Sequence, residues 1–399
     1  MTKAHIISIG AELTEGRVLN TNATYLAQQI QQMGIGISRI TTIGDDINDI
    51  VHSLNAPQDI LVVTGGLGPT HDDITTDALF QFCTDNFNSF VTKNSWQKTI
   101  THYCKTKEIN HLHERVCLLK NPVGSAPGVY IKVDKRHIFA LPGVPSEAKS
   151  LFSKEVEPIL KTMSTTYHSH VMRLSGTYES QVQKILKKTN WPKHVEISLL
   201  PQYNGVNVVI KSSVEAVAFI NDVRSKLQEH IYSESALTLE ETISKLLCAQ
   251  QKTIAVAESC SGGFASHLLT NVPGSSSYFQ HGVVSYSNEA KVKILGVRPE
   301  TIEKYGAVSS ECAQEMAQGV RKITQTDIGI ATTGISGPTG ATPNKPLGLL
   351  YVAYADKDNT IVRKKVIRKP RVEHKKHSAH FVLGLLWECL KDKKNDKKK

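Results

Sequence analysis

The chain has 399 residues, of which 40% are hydrophobic and 21% charged, and its formal net charge is +10. This length exceeds one ordinary hydrophobic core, so we expect two or three domains. No apolar run approaches the roughly 18 residues of a membrane span, no signal-peptide pattern is present, and the seven cysteines are scattered. These features argue against a membrane-spanning or disulfide-built protein and predict a cytoplasmic one with reduced thiols.

Much of the positive charge lies in two basic clusters, at 363–376 and 391–399. A lysine run at a chain end is most often solvated and disordered, and less often contacts nucleic acid. The cluster at 363–376 has a further interpretation, which is local attraction of a phosphorylated substrate.

The N-terminal third alternates strand and helix patterns. Strand patterns cover 5–9, 37–43 and 59–63, and a helical pattern covers 21–33, with Gly34 as a stop signal. This succession predicts a parallel sheet covered by helices.

A glycine-rich loop, Gly65-Gly66-Leu67-Gly68-Pro69-Thr70, follows the buried strand at 59–63, where open α/β sheets bind ligands. Glycines let the backbone approach a phosphate closely. Asp72 and Asp73 come next, and paired carboxylates suit a hard cation such as Mg²⁺. The alternative is that they cap the following helix. Polar loops that we expect at the same end of the sheet lie at 10–13, 20–22, 121–128 and 141–147.

The pattern of predicted strands and helices changes near residue 167. Strand patterns at 168–174, 197–200 and 206–210, with two helical patterns, predict a small α+β module that reaches about residue 232. A third unit then begins with an amphipathic helix at 239–249. Its further patterns are strands at 253–256, 283–286, 328–332 and 349–354, a hairpin strand at 360–367, and a closing helix at 377–389.

The segment Ala257-Glu258-Ser259-Cys260-Ser261-Gly262-Gly263 joins the strand at 253–256 to a helical pattern at 264–269. Free N–H groups at a helix start can stabilise an oxyanion, and a hydroxyl there is well placed to attack a carbonyl. The alternative is a tight turn with Ser259 as the helix N-cap. We interpret Cys260 as a small buried neighbour rather than the nucleophile.

Two more segments follow strands of the third unit, at 285–291 and 332–340. Each brings hydroxyl groups or backbone donors to a strand end. Together with Ser259 they offer a nucleophile, a base and a pocket of hydrogen-bond donors.

These motifs resemble those of the CinA (competence/damage-inducible protein) family over nearly the whole chain. The resemblance to its molybdopterin-binding-like domain rests on Gly10–Leu13, Asn20–Asn22, Gly65–Asp73, Asn121–Gly128 and Leu141–Glu147, and the resemblance to its C-terminal signature on Ala257–Gly263. It implies an α/β protein with a three-layer α/β/α domain at 1–165, a KH-like α+β module at 166–234, an α/β deamidase domain at 235–390 and a disordered lysine-rich tail at 391–399.

For the N-terminal domain the resemblance implies an ADP-ribose pyrophosphatase that uses a divalent metal of the Mg²⁺ or Co²⁺ type and, in some members, K⁺. The metal residues carried over are Glu12, Asp72 and Asp73, and the substrate residues are Gly66, Gly68, Thr70, Asn22 and Glu147. One departure concerns the first loop, where Ala11 stands in place of the family's usual threonine or aspartate.

For the C-terminal domain the resemblance implies a nicotinamide mononucleotide deamidase without a cofactor. Ser259 is then the nucleophile, and either Lys291 or Tyr286 assists as the base. An arginine is expected for the substrate phosphate, and Arg371 aligns with it, although the family's usual Gly-Asp-Arg reads Lys369-Pro370-Arg371 here. The residues expected to bind the oxyanion or substrate are Thr333, Gly334, Gly262 and Gly263.

The resemblance implies that the chain binds nucleotide substrates and forms a homodimer. We expect no association with a membrane. A KH module that binds nucleic acid needs a Gly-x-x-Gly loop, and residues 167–232 contain none, so we do not expect nucleic acid. Two other functions stay open, a molybdopterin-like ligand-binding protein and an interaction protein in DNA uptake or recombination, because fold does not fix function.

Overall fold

The computed structural model describes residues 2–68, 74–87, 90–106, 113–163 and 168–392. The chain divides into two compact units, Met1–His168 and Ser169–Lys399. Within the described ranges, no helix combines the length and apolar character needed to cross a bilayer. The tail predicted to be disordered lies, from residue 393 onward, outside these ranges.

The first unit is built on a six-stranded sheet in the order β2-β1-β3-β6-β5-β4. Strands β1, β2, β3 and β6 run parallel, whereas β4, β5 and β6 pair antiparallel. The prediction of a parallel sheet is therefore wrong for one edge, where a hairpin adds two strands. The strands are β1 (Lys3–Ile9), β2 (Gly36–Ile43), β3 (Ile60–Thr64), β4 (Val116–Leu119), β5 (Gly128–Val133) and β6 (Arg136–Leu141).

Helices cover both faces of this sheet, and each face has its own apolar core. The helix predicted at 21–33 is observed at Thr21–Gln32, where the Asn20 side chain accepts a hydrogen bond from the Ala23 amide as the N-cap. The helices are α1 (Ala11–Thr14), α2 (Thr21–Gln32), α3 (Ile47–Leu54), α4 (Thr75–Asn86), α5 (Lys93–Thr106), α6 (Pro145–Leu151) and α7 (Glu157–Lys161), with a π-helical turn at Phe152–Val156.

The second unit begins with a four-stranded sheet in the order β10-β7-β9-β8. Its strands are β7 (His168–Ser175), β8 (Val195–Gln202), β9 (Gly205–Ser212) and β10 (Ile231–Ser233), and its helices are α8 (Glu179–Leu186) and α9 (Val217–Leu227). Apolar residues of the strands and both helices form one core. The observed elements match the α+β module predicted from the sequence.

A five-stranded sheet in the order β12-β11-β13-β14-β15 forms the rest of the second unit. Its central strands are buried, as alternation with covering helices predicts. The strands are β11 (Ile254–Glu258), β12 (Phe279–Val284), β13 (Ile328–Gly334), β14 (Leu349–Ala355) and β15 (Thr360–Val366), and the helices α10 (Leu239–Ala249), α11 (Phe264–Thr270), α12 (Asn288–Leu295), α13 (Pro299–Tyr305), α14 (Ser310–Thr324) and α15 (Arg371–Asp392).

Two boundaries of this sheet domain bear on the site. The predicted hairpin is confirmed, since β14 and β15 pair antiparallel across 356–359. The closing helix, predicted to start at residue 377, starts at Arg371 instead. Pro370 precedes the first helical residue, and its carbonyl accepts the first turn's hydrogen bond from the His374 amide. Arg371 therefore lies on a helix rather than in a loop.

Candidate active site

Ser259 follows the last residue of β11, the strand that pairs on both sides within the sheet. Its amide donates to the Thr332 carbonyl at 3.0 Å, which extends the pairing with β13 by one residue. The side chain is buried, with 8% of the residue exposed. The two neighbouring strands thus fix the position of this hydroxyl before the chain turns into α11.

Lys291 brings its amine to the Ser259 hydroxyl. The Nζ atom lies 3.1 Å from Ser259 Oγ, 2.8 Å from the Ser285 carbonyl oxygen and 3.4 Å from the Tyr286 carbonyl oxygen. A neutral amine has two N–H groups for two carbonyls and one lone pair that can accept the hydroxyl proton. A protonated amine would instead donate to all three oxygens, so the three contacts fit both protonation states, and the neutral form is the one that can act as a base.

The protonation of Lys291 follows from its burial. Only 1% of the residue is exposed, and this desolvation lowers the pKa of its amine, although the nearby Cys312 and Cys260 act in the opposite direction. A lowered pKa increases the fraction of neutral amine near neutral pH. Among the described residues, Lys291 is the titratable side chain within hydrogen-bonding distance of the Ser259 hydroxyl.

The start of α12 positions this lysine. Ser287 is the N-cap, and its hydroxyl accepts a hydrogen bond from the Ala290 amide at 3.0 Å. Gly296 ends the helix in the left-handed conformation. Lys291 thus lies near the first turn of a short helix whose two ends are both fixed.

Glu258, rather than Ser259, caps α11. Its fully buried carboxylate accepts hydrogen bonds from the Gly263, Ala265 and Ser266 amides and from the Ser266 hydroxyl, at 2.6–3.0 Å. The N-cap alternative for Ser259 is therefore not observed. The carboxylate also uses the helix-start amides that were expected to bind the oxyanion.

This capping predicts a large loss of stability in Glu258→Gln. An amide at this position places an N–H₂ group against backbone donors, and charge-assisted hydrogen bonds are lost, at a cost of about 1.5–3 kcal/mol. Urea denaturation checks this value. The control Glu289→Gln removes an exposed carboxylate that pairs with Lys293 and should change stability by less than about 0.5 kcal/mol; equal effects would contradict the capping role.

Gly262 and Gly263 form the turn after Ser259, and both have positive φ values, of 61° and 94°. The Gly262 amide donates to the Ser259 carbonyl, and the Gly263 amide to Glu258. Their amides therefore hold the turn together in this structure. A Cβ atom on Gly262 would lie 3.0 Å from Lys375 Nζ, so the backbone here passes close to a cationic side chain.

Thr333 and Gly334 end β13 beside the turn. The Thr333 hydroxyl donates to the Ala307 carbonyl at 2.7 Å, so its single proton already has an acceptor. This geometry makes Thr333 an anchor for a loop rather than the predicted oxyanion donor. Gly334 pairs with Leu350 of β14, and a Cβ atom there would meet Cys260 Sγ at 3.1 Å.

Cys260 is buried, as predicted. Burial raises the pKa of its thiol to about 11, so the thiol is protonated at neutral pH and is a poor nucleophile. Ser259 is the nucleophile candidate that this turn presents to a base.

Tyr286 and Arg371 meet at the edge of the site. Arg371 donates through Nη1 to the Gly337 carbonyl at 2.8 Å and through Nη2 to the Tyr286 hydroxyl. Tyr286 is 58% exposed. Its side chain thus contacts the predicted phosphate residue, whereas its backbone carbonyl contacts Lys291; of the two predicted bases, the structure brings Lys291 to Ser259.

Two residues of α15 were missed by the sequence analysis. Lys375 lies four positions after Arg371, hence on the same helix face, and approaches the Gly262 turn. The fully buried His374 contacts the Ser336 hydroxyl at 2.8 Å and the Gly348 carbonyl at 3.3 Å. Both side chains lie at the site because α15 begins at Arg371 rather than at residue 377. Pro370 is the sequence signal that could have indicated this start.

In the first unit, a cleft of about 370 Å³ lies at the end of the sheet where β1, β3 and β6 stop. The predicted residues that line it are Glu12, Gly66, Gly68 and Glu147. Gly66 has a φ of 66°, and a Cβ atom there would meet Thr75 Oγ1 at 2.3 Å, so the turn requires glycine. The predicted Thr70, Asp72 and Asp73 lie outside the described residues.

The other predicted substrate residues of this unit have internal partners. Asn121 donates to the Glu147 carboxylate at 2.6 Å. Asn22 donates to the Thr64 hydroxyl and the Gly143 carbonyl, at 3.0 and 2.8 Å. Its buried Oδ1 has no hydrogen-bond partner within the described part of the chain. Asn22 of α2 therefore contacts both the end of β3 and the loop after β6, and it borders a smaller cleft that it shares with Glu12.

Asp45 is a cleft residue that the sequence analysis missed. It lies on the main cleft and accepts a hydrogen bond from the Ala11 amide at 2.8 Å. Three carboxylates, those of Glu12, Asp45 and Glu147, thus line one cleft. Over the described ranges, no group of three or more Asp, Glu, His or Cys side chains is arranged to hold one metal ion; the predicted metal residues Asp72 and Asp73 lie outside these ranges.

Comparisons with known proteins agree with this architecture. A family model described as "CinA C-terminal domain" matches residues 236–390, and one described as "Probable molybdopterin binding domain" matches residues 5–162. A "CinA-like protein" of Thermotoga neapolitana is 36% identical over 91% of this chain and 92% of its own length. Another, of Amoebophilus asiaticus, is 34% identical over 98% of this chain and its own full length (100%).

Among solved structures, a competence or damage-inducible protein from Enterobacter asburiae is 34% identical, with a TM-score of 0.37, over 38% of this chain and 96% of its own. The matches and the fold define a mixed α/β protein with a molybdopterin-binding-like domain followed by a CinA C-terminal domain. The chain belongs to the CinA family. The family and the α/β fold class predicted from the sequence are confirmed.

Proposed function

We propose that the C-terminal domain hydrolyses a carboxamide, with Ser259 as nucleophile and Lys291 as base. The observation that carries the proposal is the 3.1 Å contact between the buried Lys291 amine and the Ser259 hydroxyl. Lys291 takes the hydroxyl proton as Ser259 Oγ attacks the amide carbon. The proton then passes to the leaving nitrogen, the C–N bond breaks, and ammonia leaves. Water attacks the resulting ester, Lys291 takes its proton, and the acid and Ser259 are released.

The substrate that we propose is nicotinamide mononucleotide. Support comes from the family membership and from the cations beside the turn, since Arg371 and Lys375 lie on one face of α15. An arginine can bind a phosphate through two parallel hydrogen bonds. In this proposal the phosphate binds at Arg371 and Lys375, and the carboxamide binds at the buried Ser259.

Product analysis with the full chain tests this proposal. Incubation with nicotinamide mononucleotide should release ammonia and the corresponding acid in equal amounts. Nicotinamide riboside, which lacks the phosphate, should react far more slowly. Ammonia release from neither compound would contradict the proposal.

Arg371→Ala should mainly raise the KM for the phosphorylated substrate. Losing one charge-assisted phosphate contact costs about 1.5–3 kcal/mol, which is on the order of ten- to hundred-fold in kcat/KM. Steady-state kinetics with nicotinamide mononucleotide measure this loss. The control Arg363→Ala removes an equal charge from an exposed position of β15 and should change kcat/KM by less than about twofold; similar losses in both variants would contradict a specific contact.

For the N-terminal domain we propose metal-dependent hydrolysis of the ADP-ribose pyrophosphate. The cleft with its glycine turn and carboxylates supports this proposal. Asp72 and Asp73, together with Glu12, are the residues that would hold a divalent ion. Such an ion would neutralise pyrophosphate charge and activate water. The competing proposal for the same cleft is binding of a molybdopterin-like ligand, because the family model that matches this domain is named for it.

Asp73→Asn should abolish metal-dependent ADP-ribose cleavage and leave amide hydrolysis unchanged. The change removes a ligand charge from the proposed metal site, which lies in a different domain from Ser259. Release of AMP and ribose 5-phosphate measures the pyrophosphate cleavage, ammonia release measures the amide hydrolysis, and calorimetric titration measures Mg²⁺ affinity. The control Glu15→Gln alters an exposed carboxylate paired with Arg17. Unchanged Mg²⁺ affinity in Asp73→Asn would contradict the assignment, and tight pterin binding without turnover would favour the competing proposal.

A further inference from the structure

A cleft of the second unit lies between the small α+β module and the C-terminal sheet. Its volume is about 610 Å³, within the range of small-molecule sites. One wall is the start of α8 and the turn between β8 and β9. The other wall is the end of β15 and the loop that leads to α15. Neither Ser259 nor Lys291 lines it, so it is separate from the proposed active site.

The charge of this cleft is unbalanced. Lys365, Arg368 and Lys369 line it against a single acidic residue, Glu179. Arg368 and Lys369 are exposed, and Lys369 is near enough to Glu373 to help lower the pKa of that carboxyl. Two exposed cations at the edge of a concave site attract an anion, and an arginine beside a lysine suits a phosphate group.

Aromatic groups line the same cleft. Tyr178 is 54% exposed, and its ring lies 4.9 Å from Lys365 Nζ. Tyr203 lies in the turn between β8 and β9, where its ring centre is 5.0 Å from that of His377 and 4.7 Å from that of His380, and the His377 ring contacts the Tyr203 carbonyl at 2.7 Å. Partly exposed rings beside cations can stack on a planar heterocycle while the cations bind its phosphate.

We propose that this cleft binds a nucleoside monophosphate, with the phosphate on Arg368 and Lys369 and the base against the Tyr178 and Tyr203 rings. Lys365 holds the two walls together, since its Nζ atom donates to Asn204 Oδ1 at 3.3 Å and lies 4.7 Å from the Phe381 ring centre. The site is thus built from both parts of the second unit. It is distinct from the substrate sites proposed above.

Calorimetric titration of the full chain with AMP tests the proposal. AMP should bind more tightly than either adenosine or inorganic phosphate, because the ring and the phosphate both contribute. The double variant Arg368→Ala/Lys369→Ala should weaken AMP binding roughly tenfold or more. The matched control Arg363→Ala/Lys364→Ala removes the same charge from β15 outside the cleft and should change it by less than about twofold.

Tyr178→Ala should also weaken AMP binding, with little effect on phosphate. Ser259→Ala should bind AMP as the unaltered chain does, so failure of the proposed amide hydrolysis would leave this result intact. Equal losses in the two double variants, or no loss in either, would overturn the proposal. Tighter binding of a ten-nucleotide single-stranded RNA than of AMP would also overturn it, because it would indicate a polynucleotide surface instead.

Discussion

Ser259→Ala should abolish ammonia release from nicotinamide mononucleotide while the fold stays intact. Without the hydroxyl no ester can form, and loss of a nucleophile normally costs at least about three orders of magnitude in kcat. Among the described residues, the Ser259 hydroxyl is hydrogen-bonded to the Lys291 side chain. Removing it breaks no larger network, so the loss of activity should not arise from unfolding. Ammonia assays and circular dichroism of the purified variant measure the two properties.

Cys260→Ala is the matched control for this experiment. It changes the neighbouring residue, the rival nucleophile, whose thiol has a pKa of about 11 because it is buried. Truncation of one small buried side chain should lower stability modestly and keep most of the activity. Retention of more than about a tenth of the activity in Ser259→Ala, or its loss in Cys260→Ala alone, would contradict the assignment of the nucleophile.

Lys291→Met should have a comparable effect on turnover, since it removes the base and keeps the length of the side chain. Lys291→Arg should be equally inactive, because a guanidinium stays protonated and cannot take the proton. In the unaltered enzyme, kcat/KM should rise with pH until Lys291 is neutral. Burial lowers its pKa, so this rise should be complete below the ordinary lysine value of about 10.4. A pH profile that is flat or falls over this limb would contradict the role.

Lys291→Met should lose activity without losing stability near neutral pH. A lysine whose folded-state pKa is lowered binds fewer protons in the folded than in the unfolded protein, so it disfavours folding at low pH. Its cost declines as pH rises from the folded toward the unfolded pKa. Lys291→Met should therefore be at least as stable as the unaltered chain near pH 7, and its advantage should shrink toward pH 10. Urea denaturation at several pH values measures this difference, and a destabilised variant at pH 7 would contradict it.

The position of Ser259 between a buried strand and a helix could be predicted from the sequence, whereas the side chain that contacts its hydroxyl could not. A buried strand, a serine and two glycines before a helical pattern are local signals, and β11 and α11 follow them closely. The choice between Tyr286 and Lys291 depends on which side chain the start of α12 directs inward. That direction is set by packing between elements distant in sequence, so it emerges only in three dimensions.

Two other errors have local physical causes. The antiparallel edge of the first sheet was missed because the segments around it, at 121–128 and 141–147, were interpreted only as polar loops. The turn between β5 and β6 contains Asp134 with a φ of 52°, a conformation that aspartate tolerates. The start of α15 was placed too late because its first turns are charged and carry little apolar periodicity, although Pro370 marks the boundary.

The cap on α11 also escaped prediction. A carboxylate that ends a buried strand, directly before a serine and a glycine pair, was not recognised as the partner of the helix start. Glu258 and the strand pairing of Ser259 together leave the hydroxyl free to face Lys291. The Glu258 carboxylate thus helps to position Ser259 by fixing the turn that leads into α11.

Hydroxylamine partitioning tests the central claim most directly, namely that Ser259 forms an ester with the substrate while Lys291 handles the proton. Added hydroxylamine should divert this ester to the hydroxamate of nicotinamide mononucleotide's acid, with the amount of acid falling as hydroxamate rises and total ammonia release preserved. Ser259→Ala should yield neither product. Ammonia release from the unaltered enzyme with acid as its sole product at every hydroxylamine concentration would instead indicate direct attack by water and would contradict the account.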